Sequence, residues 1–335
     1  MGLQIGDIVP RKSVEFSELA GKTIAVDAFN AIYQFLSSIR QPDGTPLMDS
    51  QKRVTSHLSG LFYRNIALLS EGIKLIYVFD GEYNELKRKT HEKRQDVKDE
   101  AREHFKTALD EEDVEAMGKY ARQLSSLDKE KIEESKELLE AMGIAVVQAP
   151  GEGEMQCAEI VKSGQAWAVG SQDYDALVVG ATRLIQNLTL ARQRKTVSGM
   201  VYISPEIIEY GKTLQELGID PDQFISLAIL VGTDFNVGGV RGIGPKKALA
   251  LVKEKKYPVQ IFKEVEGRMD FEWPTVFEIF KKPNVSKEEV IFPKLNEEKI
   301  KEILVNGHDF SLERVEKQLE KLREVKKKSG QKKLF

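Results

Sequence analysis

Short apolar runs that each lead to an acidic residue recur along this chain, and they constrain its fold more than any other feature. Thr23-Ile24-Ala25-Val26 runs into Asp27, and Leu75-Ile76-Tyr77-Val78-Phe79 into Asp80. Ile144-Ala145-Val146-Val147 precedes Glu152 and Glu154, and Ala166-Trp167-Ala168-Val169 precedes Asp173 and Asp175. Leu227-Ala228-Ile229-Leu230-Val231 precedes Asp234. Runs of this length and β-branched content predict strands buried in a parallel sheet. Ligands of open α/β sheets sit outside the carboxyl ends of the strands. The acids that follow strands are therefore expected on one rim, with Asp234 arriving from a helix end or loop. Carboxylates gathered on one rim repel strongly unless cations sit among them. The pattern predicts a multi-metal site.

Spacing refines that expectation. Glu152 and Glu154 are two apart, as are Asp173 and Asp175. On a regular helix such residues point about 200° apart, whereas on a segment leaving a strand they point the same way. Pro150-Gly151 sets a turn before the first pair, so both pairs are expected on extended segments. A ligand set of oxygen only, with none of His57, His91, His104 or His308 near a pair, selects hard cations such as Mg²⁺ or Mn²⁺ over Zn²⁺. Two such ions about 4 Å apart suit phosphoryl and phosphodiester chemistry.

The chain has 335 residues, 41% hydrophobic and 31% charged, enough for a substantial core and about two domains' worth of material. No apolar run approaches the roughly 18–20 residues that span a bilayer, and the start lacks the pattern of a signal peptide. The single cysteine, Cys157, rules out an internal disulfide; it fits a reducing compartment and reads as a small core residue. An intracellular protein without a membrane partner is expected. The net charge of −3 does not advertise nucleic-acid binding, but its distribution is uneven. Between Arg241 and Lys256 the basic residues Arg241, Lys246, Lys247, Lys253, Lys255 and Lys256 face Glu254 alone. Arg192-Gln193-Arg194-Lys195 reads as a short basic loop, and Arg323–Lys333 is similarly lopsided.

The organisation follows from these shifts. Residues 1–82 read as an α/β start, with strands 23–27 and 74–79, a helix from about Asn30 to Ile39, and a turn at Gln41-Pro42-Asp43-Gly44-Thr45-Pro46. Residues 83–140 turn abruptly to Lys, Glu, Arg and Gln. Val97, Ala101, Phe105 and Leu109 give one thin helical stripe, and Asp110-Glu111-Glu112-Asp113 reads as a break before a second helix. Such an insertion buries little and should project. Strand–helix alternation resumes in 141–258, and 259–325 is helical, with a last helix from Leu312 to about Val325. Residues 326–335 read as a loose tail.

Arg241-Gly242-Ile243-Gly244-Pro245-Lys246-Lys247-Ala248 carries a second signal. Gly-x-Gly followed by Pro opens a helix, and its glycines let backbone N–H groups approach a phosphate at the helix N-terminus. Such a turn grips a phosphate backbone without reading bases.

At these residues the chain resembles the flap structure-specific endonucleases of archaeal and eukaryotic type, within the 5′-nuclease superfamily. The resemblance runs from Met1-Gly2 to about Leu322. It rests on Ala25-Val26-Asp27-Ala28, Tyr77-Val78-Phe79-Asp80-Gly81, Pro150-Gly151-Glu152-Gly153-Glu154, Ser171-Gln172-Asp173-Tyr174-Asp175, and Val231-Gly232-Thr233-Asp234 leading into Gly242-Ile243-Gly244-Pro245-Lys246-Lys247.

The resemblance implies an α/β fold: a central, mostly parallel sheet flanked by helices (a PIN-like 5′-nuclease core), an inserted helical arch and a helical C-terminal DNA-binding part. It implies two-metal hydrolysis of phosphodiesters at 5′ flaps of branched double-stranded DNA in replication and repair, with 5′–3′ exonuclease activity. Two Mg²⁺ per site, with Mn²⁺ as a substitute, would be held by Asp27, Asp80, Glu152, Glu154, Asp173, Asp175 and Asp234. Lys87 and Arg94 match the basic pair that reaches the scissile phosphate; lying seven apart, they would share a helix face. Tyr33 matches an aromatic that stacks on a base. Gly242, Gly244, Lys246 and Lys247 match a helix–turn–helix spanning about 220–256 that holds duplex DNA and a K⁺ ion. Gly2, Arg40, Thr55 and Arg64 match further DNA contacts. Gln331-Lys332-Lys333-Leu334-Phe335 supplies the first half of a sliding-clamp (PCNA) peptide, and the compartment implied is the cytoplasm for an archaeal-type protein or the nucleus for a eukaryotic one. Gly151 stands where many relatives have Ser, and Met155 where many have Ala; neither change removes a ligand.

Two other readings compete with this one. Phe79-Asp80-Gly81 prompts a phosphatase of the haloacid-dehalogenase kind, but that chemistry needs an Asp two residues earlier, where Val78 stands. A non-catalytic DNA-binding scaffold would bind branched DNA and not cut it.

Overall fold

The computed structural model of the chain describes residues 3–41, 44–82, 85–110, 127–189, 193–196 and 199–331. Its centre is a seven-stranded sheet in the order β1-β9-β6-β5-β2-β3-β4. These strands are β1 (Lys12–Ser13), β2 (Thr23–Asp27), β3 (Lys74–Phe79), β4 (Ala145–Gln148), β5 (Ala168–Gly170), β6 (Arg183–Gln186) and β9 (Glu206–Glu209). The five from β6 to β4 run parallel, with Val26 opposite Tyr77 on one side and Gly170 on the other. β9 and β1 add an antiparallel edge.

The predicted strands lie where the apolar runs put them, because alternate side chains of a parallel strand are buried on opposite faces. Ala25, Ile76 and Val78 enter one core layer, whereas Ile24, Val26, Leu75, Tyr77 and Phe79 enter the other. The first layer packs against α4 (Gly153–Lys162), which includes Cys157, and α5 (Pro221–Val231). The second packs against α1 (Ala28–Ser38), the helix Asn65–Ser70 and the last helix, α7 (Leu312–Gln331). Val315, Leu319 and Leu322, at i, i+4 and i+7, are fully buried there. Tyr77 is fully buried too, and its hydroxyl donates to Asn65 Oδ1 at 2.8 Å.

From β2 the chain winds one way through β3 and β4, then returns to β5 and β6 on the other side. The crevice between β2 and β5 is thus a topological switch point, where open α/β sheets place their ligands.

Three expectations are corrected. Gln193–Thr196 is a strand, β7, paired antiparallel with β8 (Gly199–Tyr202), and not a basic loop. The last helix does not stop near Val325 but continues to Gln331, because Lys326-Lys327-Lys328 are good helix formers whose charges favour a helix C-terminus. The insertion does give a long helix, α2 (Arg88–Asp110), but Val97 on its stripe is 51% exposed while Ala101 is buried. Residues 111–126, where the second arch helix was expected, lie outside the described residues. The insertion's return, α3 (Lys129–Ala141), packs by Leu138 and Leu139 into the second layer. Among the described residues, no helix is long and apolar enough to cross a membrane.

Candidate active site

All five acid-bearing segments converge at the carboxyl rim of the sheet. Asp27 ends β2 and caps α1, accepting from the Asn30 amide at 3.1 Å. Asp80 follows β3, and its Oδ1 accepts from Gly153 N at 2.7 Å. That bond ties the β3 loop to the start of α4. The same two loops touch at Gly81, whose amide donates to Gly151 O at 2.7 Å. A Cβ on Gly81 would lie 1.9 Å from Ala149 O, so only glycine allows this approach.

Asp234 arrives from the end of α5 through a locked turn. Gly232 takes φ +111°, and buried Asn236 accepts from Thr233 N and Oγ1 at 3.1 and 2.7 Å while donating to Ile229 O at 2.8 Å.

The Glu152/Glu154 pair differs from its expectation. Glu152 is extended, at φ −75° and ψ 129°, but the helix begins at Gly153, so Glu154 already lies in its first turn. The two carboxylates therefore part company. Glu152 pairs with Lys87 and feels Asp80 and Asp234, whereas Glu154 feels Asp173, Asp175 and Asp27. Asp175 likewise opens a one-turn helix, Asp175–Val178, while Asp173 precedes it.

Polar side chains to which the sequence assigned no role hold these acids. Asn30 Nδ2 donates to Asp173 Oδ2 at 3.2 Å, and its Oδ1 accepts from Gln172 N at 3.3 Å. Ser171 Oγ donates to Glu154 Oε1 at 2.8 Å and accepts from Asp173 N at 3.2 Å. The one sequence signal for Asn30 is its place three residues after a capping Asp.

Lys87 is the cation these acids share. It closes the 3₁₀ turn Glu85–Lys87 that runs directly into α2. Arg94 is on α2, but its side chain lies outside the described residues. The Lys87 ammonium pairs with Glu152, stands 4.0 Å from Asp234 Oδ2, and lies 5.0 Å from the centre of the Phe235 ring. Burial alone would lower its pKa; Glu152 and Asp234 outweigh that and raise it.

The acids carry the opposite imbalance. Burial, then Asp80 and Asp173, push Asp27 up to about 7. Burial, then Asp173 and Asp234, push Asp175 up to about 7. Burial, then Asp173, Asp175 and Asp27, lift Glu154 well above the carboxylate range. Glu152 is raised by burial against the relief from Lys87.

Among the described residues, Asp175 Oδ1 is buried with no hydrogen-bond partner. A buried carboxylate oxygen left unpaired is costly, and a cation is the partner that suits it. An all-oxygen donor set of high negative charge fits a hard divalent ion. Even so, among the described residues no group of three or more His, Cys, Asp or Glu is drawn tightly enough to hold an ion as it stands. The acids are within Coulombic reach of one another, but the shell is not closed, and Lys87 sits in its midst.

The other expected positions spread beyond the rim. Tyr33 is 38% exposed on α1. Arg40 is half-buried, donating to Gly44 O at 2.9 Å and Ser37 O at 3.3 Å. Arg64 is half-buried in the π turn Gly60–Arg64. Thr55, another position matched to a DNA contact, is buried. Gly2 lies outside the described residues.

The glycine turn behaves as predicted. Gly244 caps α6 (Pro245–Lys255), Pro245 opens it, and Gly242 takes φ +79°. A Cβ at Gly242 or Gly244 would meet nothing within 4 Å, so the turn's backbone faces open space. Lys246 and Lys247 are exposed beside it, with Lys247 Nζ donating to Gly242 O at 3.2 Å.

Comparison with known proteins follows the same lines. Residues 4–101 match the XPG N-terminal domain and residues 143–234 the XPG I-region. Flap endonuclease 1 of Pyrococcus furiosus is 48% identical over 334 residues, covering 99% of this chain and 97% of the relative. Flap endonuclease-1 from Methanococcus jannaschii superposes with a TM-score of 0.77 at 40% identity, over 97% of this chain and 98% of that one. The catalytic core of Rad2 in complex with DNA substrate superposes at 0.69 over 96% of this chain and 100% of that one; at 22% identity, this shows a shared fold.

Proposed function

Because the chain belongs to the flap endonuclease family, we propose that its carboxylate rim cleaves phosphodiesters at 5′ flaps of branched duplex DNA. The protein is read as a structure-specific endonuclease with 5′–3′ exonuclease activity, acting in Okazaki fragment maturation and repair. The observation that carries this is the rim itself: seven acids from five segments, an orphaned Asp175 oxygen, and a lysine as their shared counter-charge.

Metal dependence is part of this reading. Asp27, Asp80, Glu152, Glu154, Asp173, Asp175 and Asp234 would hold two Mg²⁺, or Mn²⁺ in their place. Such ions lower the pKa of a bound water and offset charge on the leaving oxygen. The chain's own residues do the rest. Asn30, Ser171 and the Gly153 amide orient the acids. Lys87 is already poised at the rim, and with Arg94 it stabilises charge developing on the phosphate. Tyr33 offers a ring face to a base. Gly242 and Gly244 admit a phosphate to the start of α6, and Lys246 and Lys247 neutralise the duplex backbone, with K⁺ as the ion of that turn. Arg40 and Arg64 are assigned further backbone contacts. PCNA is the partner proposed for Gln331–Phe335, on the tail's sequence alone, since residues 332–335 lie outside the described residues.

The test is purified protein on a labelled 5′-flap duplex, with Mg²⁺ and with EDTA. Cleavage that needs the ion supports the assignment. Tight binding with no cleavage in Mg²⁺ would instead make the protein a scaffold for branched DNA.

A further inference from the structure

Tyr174 stands between two of the rim acids, yet its ring turns away from them into the core layer that also holds Leu3, Ile5 and Val9. It is 8% exposed. Its hydroxyl accepts from Arg11 Nη2 at 3.0 Å, across 163 residues of sequence. The same Nη2 donates to Gly6 O at 2.7 Å, and Arg11 Nη1 lies 3.4 Å from Glu206 Oε2 on β9. Three segments distant in sequence thus meet through Arg11: residues 3–11, the antiparallel edge, and the loop that carries Asp173 and Asp175.

The fit at this junction is close. A Cβ on Gly6 would fall 2.9 Å from both Arg11 Nη2 and the Tyr174 hydroxyl oxygen, so glycine is what lets the N-terminal backbone lie against the pair. On the other side, Tyr174 O accepts from Leu177 N at 2.9 Å and so sets the one-turn helix that Asp175 opens. Asp173 is held only one residue away, by Asn30 and Ser171. Anchoring the phenol therefore fixes the backbone on which both carboxylates stand.

We propose that Arg11 and Tyr174 form a positioning clamp that sets the divalent-ion affinity of the Asp173/Asp175 loop from outside the rim. This rests on the reading of those acids as ion ligands. Neither clamp residue touches substrate or ion. Groups that orient metal ligands directly typically contribute 10–100-fold in affinity. A group acting one bond further out, through backbone, is expected to contribute about 3–10-fold.

The experiment uses the full-length chain and three variants: Tyr174→Phe, which removes only the hydroxyl, Arg11→Gln, and the double variant. Mn²⁺ binding without DNA is followed by electron paramagnetic resonance, and flap cleavage is titrated with Mg²⁺. Each single variant should weaken Mn²⁺ binding and raise half-saturating Mg²⁺ by about 3–10-fold. Near-wild-type turnover should return at saturating Mg²⁺. The double variant should be no worse than Arg11→Gln alone, which already breaks the bond to the Tyr174 hydroxyl together with those to Gly6 and Glu206. A merely structural role would lower the melting temperature without moving the ion titration. Overlapping wild-type and Tyr174→Phe titrations overturn the clamp while leaving the nuclease reading intact. A wild-type protein that binds no Mn²⁺ overturns both.

Discussion

Lys87 offers the sharpest quantitative check on the rim, because it stands among acids that need positive charge. Replacing it by Met keeps the stem's bulk and removes the ammonium. The lost pairing with Asp234 alone, at 4.0 Å, is worth at most ~4 kcal/mol at an effective dielectric near 20. The acids can also respond by taking up a proton, which from an ordinary carboxylate pKa costs roughly 3.4 kcal/mol at pH 7. Glu152 is already raised, so its protonation is cheaper still, and the net loss settles near 2–3 kcal/mol. At roughly 2.1 cal/mol/K per residue, a chain of this length should lose about 3–4 °C of melting temperature. That holds in EDTA. In millimolar Mg²⁺, ions bound among the same carboxylates replace the missing charge, and the loss should shrink to about 1 °C or less. The assay is calorimetric or dichroism melting of wild type and Lys87→Met under both conditions. Equal losses in EDTA and Mg²⁺ would refute the view that lysine and divalent ions neutralise the same acids.

Three further outcomes are expected. Asp175→Asn should cut flap cleavage by at least ~100-fold, yet raise the EDTA melting temperature by about 1–4 °C, since the buried carboxylate it removes is raised to about 7; unchanged turnover would take Asp175 out of the site. Changing Lys246 and Lys247 to Ala together should weaken duplex binding and lower the slope of log K against log salt by about 2; an unaltered slope would mean that α6 does not touch phosphate. The third concerns His308, whose Nδ1 and Nε2 each lie 2.9 Å from a carboxylate, of Asp49 and Glu134. The bond to Glu134, against burial, raises His308 above its usual range. Its contribution to stability is therefore full below about pH 6.5 and is lost as pH rises through the folded value. Wild-type melting temperature should fall over that interval relative to His308→Gln; parallel pH curves would disprove the charge on His308.

The sequence declared its centre more clearly than its margins, for physical reasons. β2 and β3 are buried on both faces, so they read as unbroken apolar runs. β1 is two residues long, and β7 is Gln-Arg-Lys-Thr; edge and hairpin strands need no apolar signature, and neither carried one. The acids were legible because each follows a strand or helix end. Their separation was not, because it depends on where the helix starts: one residue after Glu152 and at Asp175 itself. Arg11, Asn30, Ser171 and Tyr174 act through bonds between segments distant in sequence, which no spacing rule encodes.

The final helix has a consequence for how the molecule is made. Val315, Leu319 and Leu322 complete a layer begun by Ile24, Phe35 and Ile66, so a nascent chain leaving the ribosome would present that oily surface bare until its last helix emerged. Folding of the first half would thus be a race against self-association, won only once that helix is available to cover it.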